Sequence, residues 1–230
     1  MKSQKKLLAV AVLLAAAPLV QAQDSDALAK QLSNPIASLT SVPLQFNYDD
    51  GFGTDGDGYR FALNVQPVIP VSISDDWNMI SRTILPIVNQ HGLVPGEGSQ
   101  FGLGDTVQSL FFSPKALTAG GWTWGVGPVF LLPTATDDFL GTEKWGAGPT
   151  AVALRQTASG WSYGMLINHL WSFAGSDDRQ DVNATFLQPF VSRSLGQGRT
   201  VSFSLESTRD WENDQWTVPL NMGYSKVSRI

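Results

Sequence analysis

The chain has no cysteine and only two histidines among its 230 residues. Without thiolates there is neither a disulfide framework nor a thiolate metal site, so stability must come from packing and backbone pairing. Charge is sparse, with Asp, Glu, Lys and Arg making up 15% of the chain and a net charge of −5. No basic stripe is present, which excludes the electrostatic footprint of a nucleic-acid-binding protein. Beyond the first 22 residues there is also no apolar run of the roughly 20 residues that a membrane-spanning helix needs. Mean hydropathy is −0.04, near that of a soluble protein.

What the N-terminus does contain is an address. Lys2, Lys5 and Lys6 precede an apolar run from Leu7 to Val20 that closes on Val20-Gln21-Ala22. That is the order and length of a secretory signal peptide, too short to span a bilayer, and cleavage is expected after Ala22; an uncleaved anchor is the alternative. Cleavage removes three lysines and no acid, moving the net charge from −5 to −8. The expected organisation is a signal peptide over 1–22, a periplasmic lead-in over 23–40 and one β-domain over 41–230. Within the lead-in, Asp24-Ser25 followed by Ala27, Leu28, Ala29 and Leu32, with Asn34-Pro35 as a stop, suggests a short helix or coil. Such a segment could plug a lumen, but a simple lead-in is the expectation.

Two classes fit this composition: a secreted β-protein, or a membrane barrel whose strands hide their apolar face by alternation. Alternation is present. Tyr59, Phe61, Leu63 and Val65 point one way while Arg60, Ala62, Asn64 and Gln66 point the other. The same period runs through Val42 to Tyr48, Trp161 to Ile167, Val201 to Glu206 and Trp216 to Tyr224. Weaker segments, blurred by glycine, proline and pairs such as Phe111-Phe112, fill the intervals. Prolines at 67, 70, 86, 128, 149 and 189 are expected at edges or bulges, where a missing donor is tolerated. Connections alternate between short and long, the long ones mostly acidic, as in barrels with short periplasmic turns and long outer loops.

Tryptophan sharpens the choice, because aromatic rings collect at both membrane interfaces. Trp77, Trp122, Trp145, Trp161, Trp171, Trp211 and Trp216 all fall at expected strand ends, with Trp124 slightly inside. In a soluble sandwich or lipocalin-like barrel they would sit more often in mid-strand core. The expected fold class is therefore all-β, an antiparallel up-and-down transmembrane β-barrel with about ten strands in view.

Several strings go beyond the pattern. Leu44–Gly53 (LQFNYDDGFG), Asn64–Ile87, Phe101–Lys115 (FGLGDTVQSLFFSPK), Trp124–Leu154 and Gln180–Ser192 (QDVNATFLQPFVS) resemble the bacterial outer-membrane family named for meta-pathway phenol degradation. Its members are also labelled transporter or, misleadingly, neuromedin U. The resemblance covers essentially the whole chain after the signal segment. It implies a β-barrel in the cell outer membrane, in contact with lipid and with the barrel assembly machinery, and it brings no catalytic motif. Family members continue through at least one more hairpin and end on an aromatic residue, whereas this sequence stops at Ser225–Ile230. A missing closing hairpin is the resulting expectation.

Function in such a barrel lies on the inward face. Arg60, Asn64, Gln66, Asn78, Arg82 and Glu206, with Asp105 as a further candidate, are the charged or amide side chains at inward positions. Lining a pore, they would set its ion preference; in a filled barrel they would satisfy one another. Arg60 and Arg82 are expected at different heights, with Glu206 as a counter-charge for Arg82. Of the two histidines, His91 lies in a glycine-rich loop and His169 shares a strand face with Trp171, an interfacial rather than catalytic placement; no nucleophile elbow accompanies them. The acidic run from Asp49 to Gly58 lacks the ligand spacing of a calcium loop. The expected function is a channel or transporter-like protein for small solutes, aromatic compounds among them, and not an enzyme. A structural or sensory barrel with a filled lumen is the alternative, and an outer-membrane lipid hydrolase comes third. Neither cofactor nor metal is expected.

Overall fold

The computed structural model describes residues 25–53, 56–93 and 96–227, together with the backbone of Val10–Leu14. The cleavage site at Ala22 and most of the export segment lie outside the described residues. The chain folds into one short helix, α1 (Ser25–Leu32), and a large antiparallel sheet. Its strands are β1 (Val10–Leu14), β2 (Val42–Phe52), β3 (Gly58–Val65), β4 (Val68–Ser72), β5 (Trp77–His91), β6 (Ser99–Leu103), β7 (Thr106–Pro114) and β8 (Trp122–Leu132). There follow β9 (Lys144–Gln156), β10 (Trp161–Gly175), β11 (Asn183–Gly196), β12 (Arg199–Leu205), β13 (Ser207–Asp210), β14 (Gln215–Thr217) and β15 (Leu220–Lys226).

Four crossings are each interrupted once. β3 and β4 lie end to end on one edge of β5, and β6 and β7 lie end to end on its other edge. β12 and β13 share β11, and pair in turn with β15 and β14. Treating each interrupted pair as one crossing, the chain after Ser41 runs up and down ten times (β2, β3–β4, β5, β6–β7, β8, β9, β10, β11, β12–β13, β14–β15). Closure is where the structure departs from the expected barrel. Among the described residues the strand order runs from β1 to β15 with no ladder joining the two ends, so the sheet is curled but open. A barrel closes only when first and last strands exchange hydrogen bonds, and here they do not.

Alternating burial identifies the two faces. Along β10, Ser162 and Leu166 are buried, while Trp161, Met165, Ile167 and Trp171 are exposed. Along β5, Ile80, Val88 and Gln90 are buried and Trp77 is exposed. The inward set continues across the ladder partners: Arg82 opposite Ser109 and Ile80 opposite Phe111 on β7, Leu166 opposite Val152 on β9. Phe111-Phe112, ambiguous from the sequence, resolves cleanly, since Phe111 is fully buried and Phe112 faces out.

The prolines behave differently from expectation. Pro67 does mark an interruption and Pro70 lies on β4, which pairs in the sheet with β5 alone, but Pro86, Pro128, Pro149 and Pro189 lie within interior strands. Pro128 on β8 stands directly opposite Pro149 on β9, in a ladder that continues on both sides. The β7–β8 and β9–β10 ladders are the ones that lapse beside them. Each missing N–H therefore faces away from the other proline, and the cost is moved to the outer neighbours. Gly127 and Gly148, preceding the two prolines, allow those neighbours to close in: a side chain there would run into the carbonyls of Leu110 and His169.

Candidate functional site

The site is the interior of the curled sheet, built in three layers between a turn end and a loop end. The turn end carries the short connections after β4, β7, β9 and β11; the loop end carries the long ones.

At the turn end, α1 and the segment that follows pack against the inward face, so residues 25–40 are not a simple lead-in. Their polar groups find partners far away in sequence. Gly198 N–H donates to Asp26 Oδ1 at 2.6 Å, and Gln156 Nε2 donates to the Lys30 carbonyl at 2.8 Å. Asn34 caps the turn by accepting from the Ile36 N–H, which presents Ile36 to the interior. Ile36 is 3% exposed and joins a cluster of Val68, Ile80, Phe111, Val152, Leu154 and Leu166, with Phe186 and Phe190 against it. Burial of one such side chain contributes about 1.5–3 kcal/mol. The physical reason for the departure is that an inward face rich in Ile, Leu and Phe leaves apolar surface on the lumen side that the N-terminal segment covers.

At mid-height lies a polar belt. Gln66 Nε2 donates to Gln45 Oε1 at 2.6 Å, and Gln45 Nε2 to Asn47 Oδ1 at 3.2 Å. Arg82 Nη2 donates to Gln66 Oε1 at 3.2 Å. Glu206 accepts from Gln188 Nε2 at 3.0 Å and interacts electrostatically with Arg82 across the interior. Since β5 and β12 are not neighbours in the sheet, that interaction records how far the sheet curls. Gln66 and Glu206 both stand at strand interruptions, where the broken ladder frees a side chain to lean inward.

At the loop end, residues 133–143 fold inward as a lid. Asp105, at the β6–β7 interruption, accepts from the Ala135 N–H, the Thr142 N–H and the Thr142 hydroxyl. Leu140 is buried with Ala62 and Val88. Arg179, from the neighbouring loop, donates to the carbonyls of Asp138 and Gly141 and pairs with Glu143 at 3.5 Å. Lys144 pairs with Asp181 at 2.9 Å, and that contact together with the Ser172 hydroxyl lowers the Asp181 pKa below 3.8. A carboxylate with a lowered folded-state pKa stabilises above its ordinary value and loses that contribution as pH falls through the lowered one. Protection of the Val182 amide, whose N–H donates to Ser172 Oγ, taken relative to the intrinsic exchange rate at each pH, is thus expected to hold from pH 7 to pH 5 and to fall only below the ordinary carboxylate range; a loss of protection between pH 7 and 5 would contradict this.

The structure brings Gln66, Arg82 and Glu206 together and separates the other three inward candidates. Arg60 lies opposite Gln90 while Arg82 lies opposite Val68, so the two arginines stand eight residues apart along β5, about 26 Å at 3.3 Å per residue. Asn64 faces Gln45 across the β2–β3 ladder. Asn78, on β5, holds the N-terminal segment, donating to Ser38 Oγ at 3.0 Å. Ile36, Arg179, Gln188 and the amides of Gln45 and Asn47 were not singled out from the sequence. An isolated isoleucine after Asn-Pro was the one local signal that pointed to any of them.

The tryptophans lie on the opposite, outward face. Trp77, Trp122, Trp124 and Trp161 cluster toward the turn end, with Trp77 edge-on to Trp124 and Trp122 edge-on to Tyr163. Trp145, Trp171, Trp211 and Trp216 lie toward the loop end. There His169 packs against Trp171 with ring centroids 4.0 Å apart and shares a hydrogen bond with Thr185 Oγ1, which also accepts from Trp211 Nε1. Arg209 lies over both Trp211 and Trp216. His91 bonds Ser99 at the loop end. No group of three or more His, Cys, Asp or Glu placed to hold a metal occurs among the described residues. Comparison with protein-family models, with curated proteins and with solved structures returned no match.

Proposed function

We propose that this chain is an outer-membrane β-barrel protein, exported through a cleaved signal peptide, that passes small solutes through a lumen closed at both ends in the present conformation. The observation that carries the membrane part is the outward face. It exposes Phe61, Phe112, Val126, Met165, Ile167, Phe203, Leu220 and Met222, each between 36% and 61% exposed, in one continuous band of strands. A soluble protein rarely presents an apolar surface of that extent, whereas lipid requires one. Its height agrees. Trp161 and Trp171 mark its limits on β10; ten residues at about 3.3 Å make about 33 Å along the strand, or about 25 Å along an axis tilted by about 40°. That is the thickness of the apolar band of outer-membrane barrels. The resemblance of Leu44–Gly53 and the other strings to the phenol-degradation outer-membrane family supports the same reading.

A passage rather than a solid pillar is favoured by the way the interior is filled. The two ends are blocked by a helix and a loop held largely by hydrogen bonds, with a belt of amides and one pair of opposite charges between them. The alternative, a structural barrel with a permanently filled lumen, is favoured by one observation: Ile80, Val88, Phe111, Val129, Leu154 and Leu166 point inward with under 2% exposure or close to it. Aromatic compounds remain a candidate solute class through the family resemblance alone.

The test of the membrane reading is mobility in detergent gels. Protein recovered from outer-membrane fractions should run at different positions before and after boiling, because a sheet whose end strands pair with each other in the membrane leaves no backbone edge exposed and resists detergent. Identical mobility, together with recovery in a soluble fraction, would refute the assignment.

A further inference from the structure

Resting on the passage reading above, we infer that residues 25–40 are a displaceable plug, with Ile36 as its stopper and Leu39-Thr40, just before the sheet begins, as its hinge. The cluster around Ile36 is drawn from the wall: Val68 from β4, Ile80 from β5, Phe111 from β7, Val152 and Leu154 from β9, Leu166 from β10. On β8, a side chain at Gly125 would reach the Ile36 Cδ1 at 3.4 Å. Side chains from five strands thus form one cluster with a residue that is not part of the sheet.

The rest of the plug is held differently. Between α1 and the wall lies a cavity of about 320 Å³ whose lining mixes hydroxyl residues, among them Ser162, Ser192, Ser194 and Thr200, with alanines and the Trp161 ring. Ala29 is the one buried residue of α1. The helix is therefore seated by hydrogen bonds that water can replace, Gln156 to the Lys30 carbonyl and the Gly198 N–H to Asp26, while Asn78 holds the following segment at Ser38; apolar packing does not lock the helix. Beyond the plug the chain is fixed again, since Ser41 and Val68 exchange both backbone hydrogen bonds, at 3.1 and 2.8 Å, immediately before β2. A weakly seated helix, one central stopper and a fixed base are the parts of a gate at the turn end of the lumen.

The absence of native cysteine makes the test clean. Ser38→Cys and Asn78→Cys replace two side chains that now touch at 3.0 Å, and a short bis-methanethiosulfonate joins them reversibly. Full-length folded protein in a planar bilayer is expected to open at least about tenfold less often with the tether in place than after reduction. A second variant lacking residues 25–38 is expected to conduct without closures and to ignore the reagent. Equal conduction by tethered and reduced protein would overturn the plug's role while leaving the passage reading intact. Absence of conduction from the folded plug-less protein would overturn the passage reading, and the plug's role with it.

Discussion

Phe111→Ala is expected to lower the folding free energy by about 3–5 kcal/mol, the range for removing a large aromatic side chain from a packed core. Phe111 is fully buried on the inward face of β7, beside Ile36, Ile80 and Leu154. The loss combines the transfer free energy of the ring with the cavity left behind, because the neighbouring strands are held apart by their own ladders and cannot collapse inward. Urea titration of protein folded into lipid vesicles measures it. Phe112, one residue on and facing out, supplies the control: Phe112→Ala removes no inward contact and creates no internal cavity. If the two substitutions cost the same, the assignment of faces on β7 is wrong.

How much of this was legible in the sequence depended on whether the deciding interaction was local. Strict alternation over Tyr59–Gln66, Trp161–Ile167 and Val201–Glu206 identified the outward side chains, because a period of two assigns every residue of a strand once one face is apolar. The separation of Arg60 and Arg82 also followed from counting along the chain. At Phe111-Phe112 the count failed, since two adjacent aromatics satisfy either phase and only contact with Ile80 and Leu154 decides between them. Pro128 and Pro149 were expected at edges or bulges because each lacks the N–H that an interior strand donates; facing each other across β8 and β9, they turn the missing donors outward, toward β7 and β10.

The plug and the lid lay outside the reach of local pattern for the same reason. Ile36 meets Leu166 across most of the chain's length, and Arg179 reaches the carbonyls of Asp138 and Gly141 from a different loop. A short helix ended by Asn34-Pro35 looks identical whether it hangs free or packs inside a sheet. Openness of the sheet is likewise a property of strand pairing between β15 and the first strands, on which the alternation within each strand is silent.

The central claim, that the outward face meets lipid, is tested most directly by the folding free energy of Ile167→Arg in lipid vesicles. Ile167 points outward from β10, 39% exposed, six residues beyond Trp161 and four before Trp171, which places it near the middle of the proposed apolar band. An arginine at the midplane on the lipid face of a barrel costs about 2–4 kcal/mol, whereas a substitution at an exposed position in water changes stability by no more than about 0.5 kcal/mol. A loss of about 2 kcal/mol or more, shrinking when the arginine is moved to the girdle position of Trp171, is the result expected here. A change within about 0.5 kcal/mol at both positions would mean that this face is bathed in water and that the protein is not a membrane barrel.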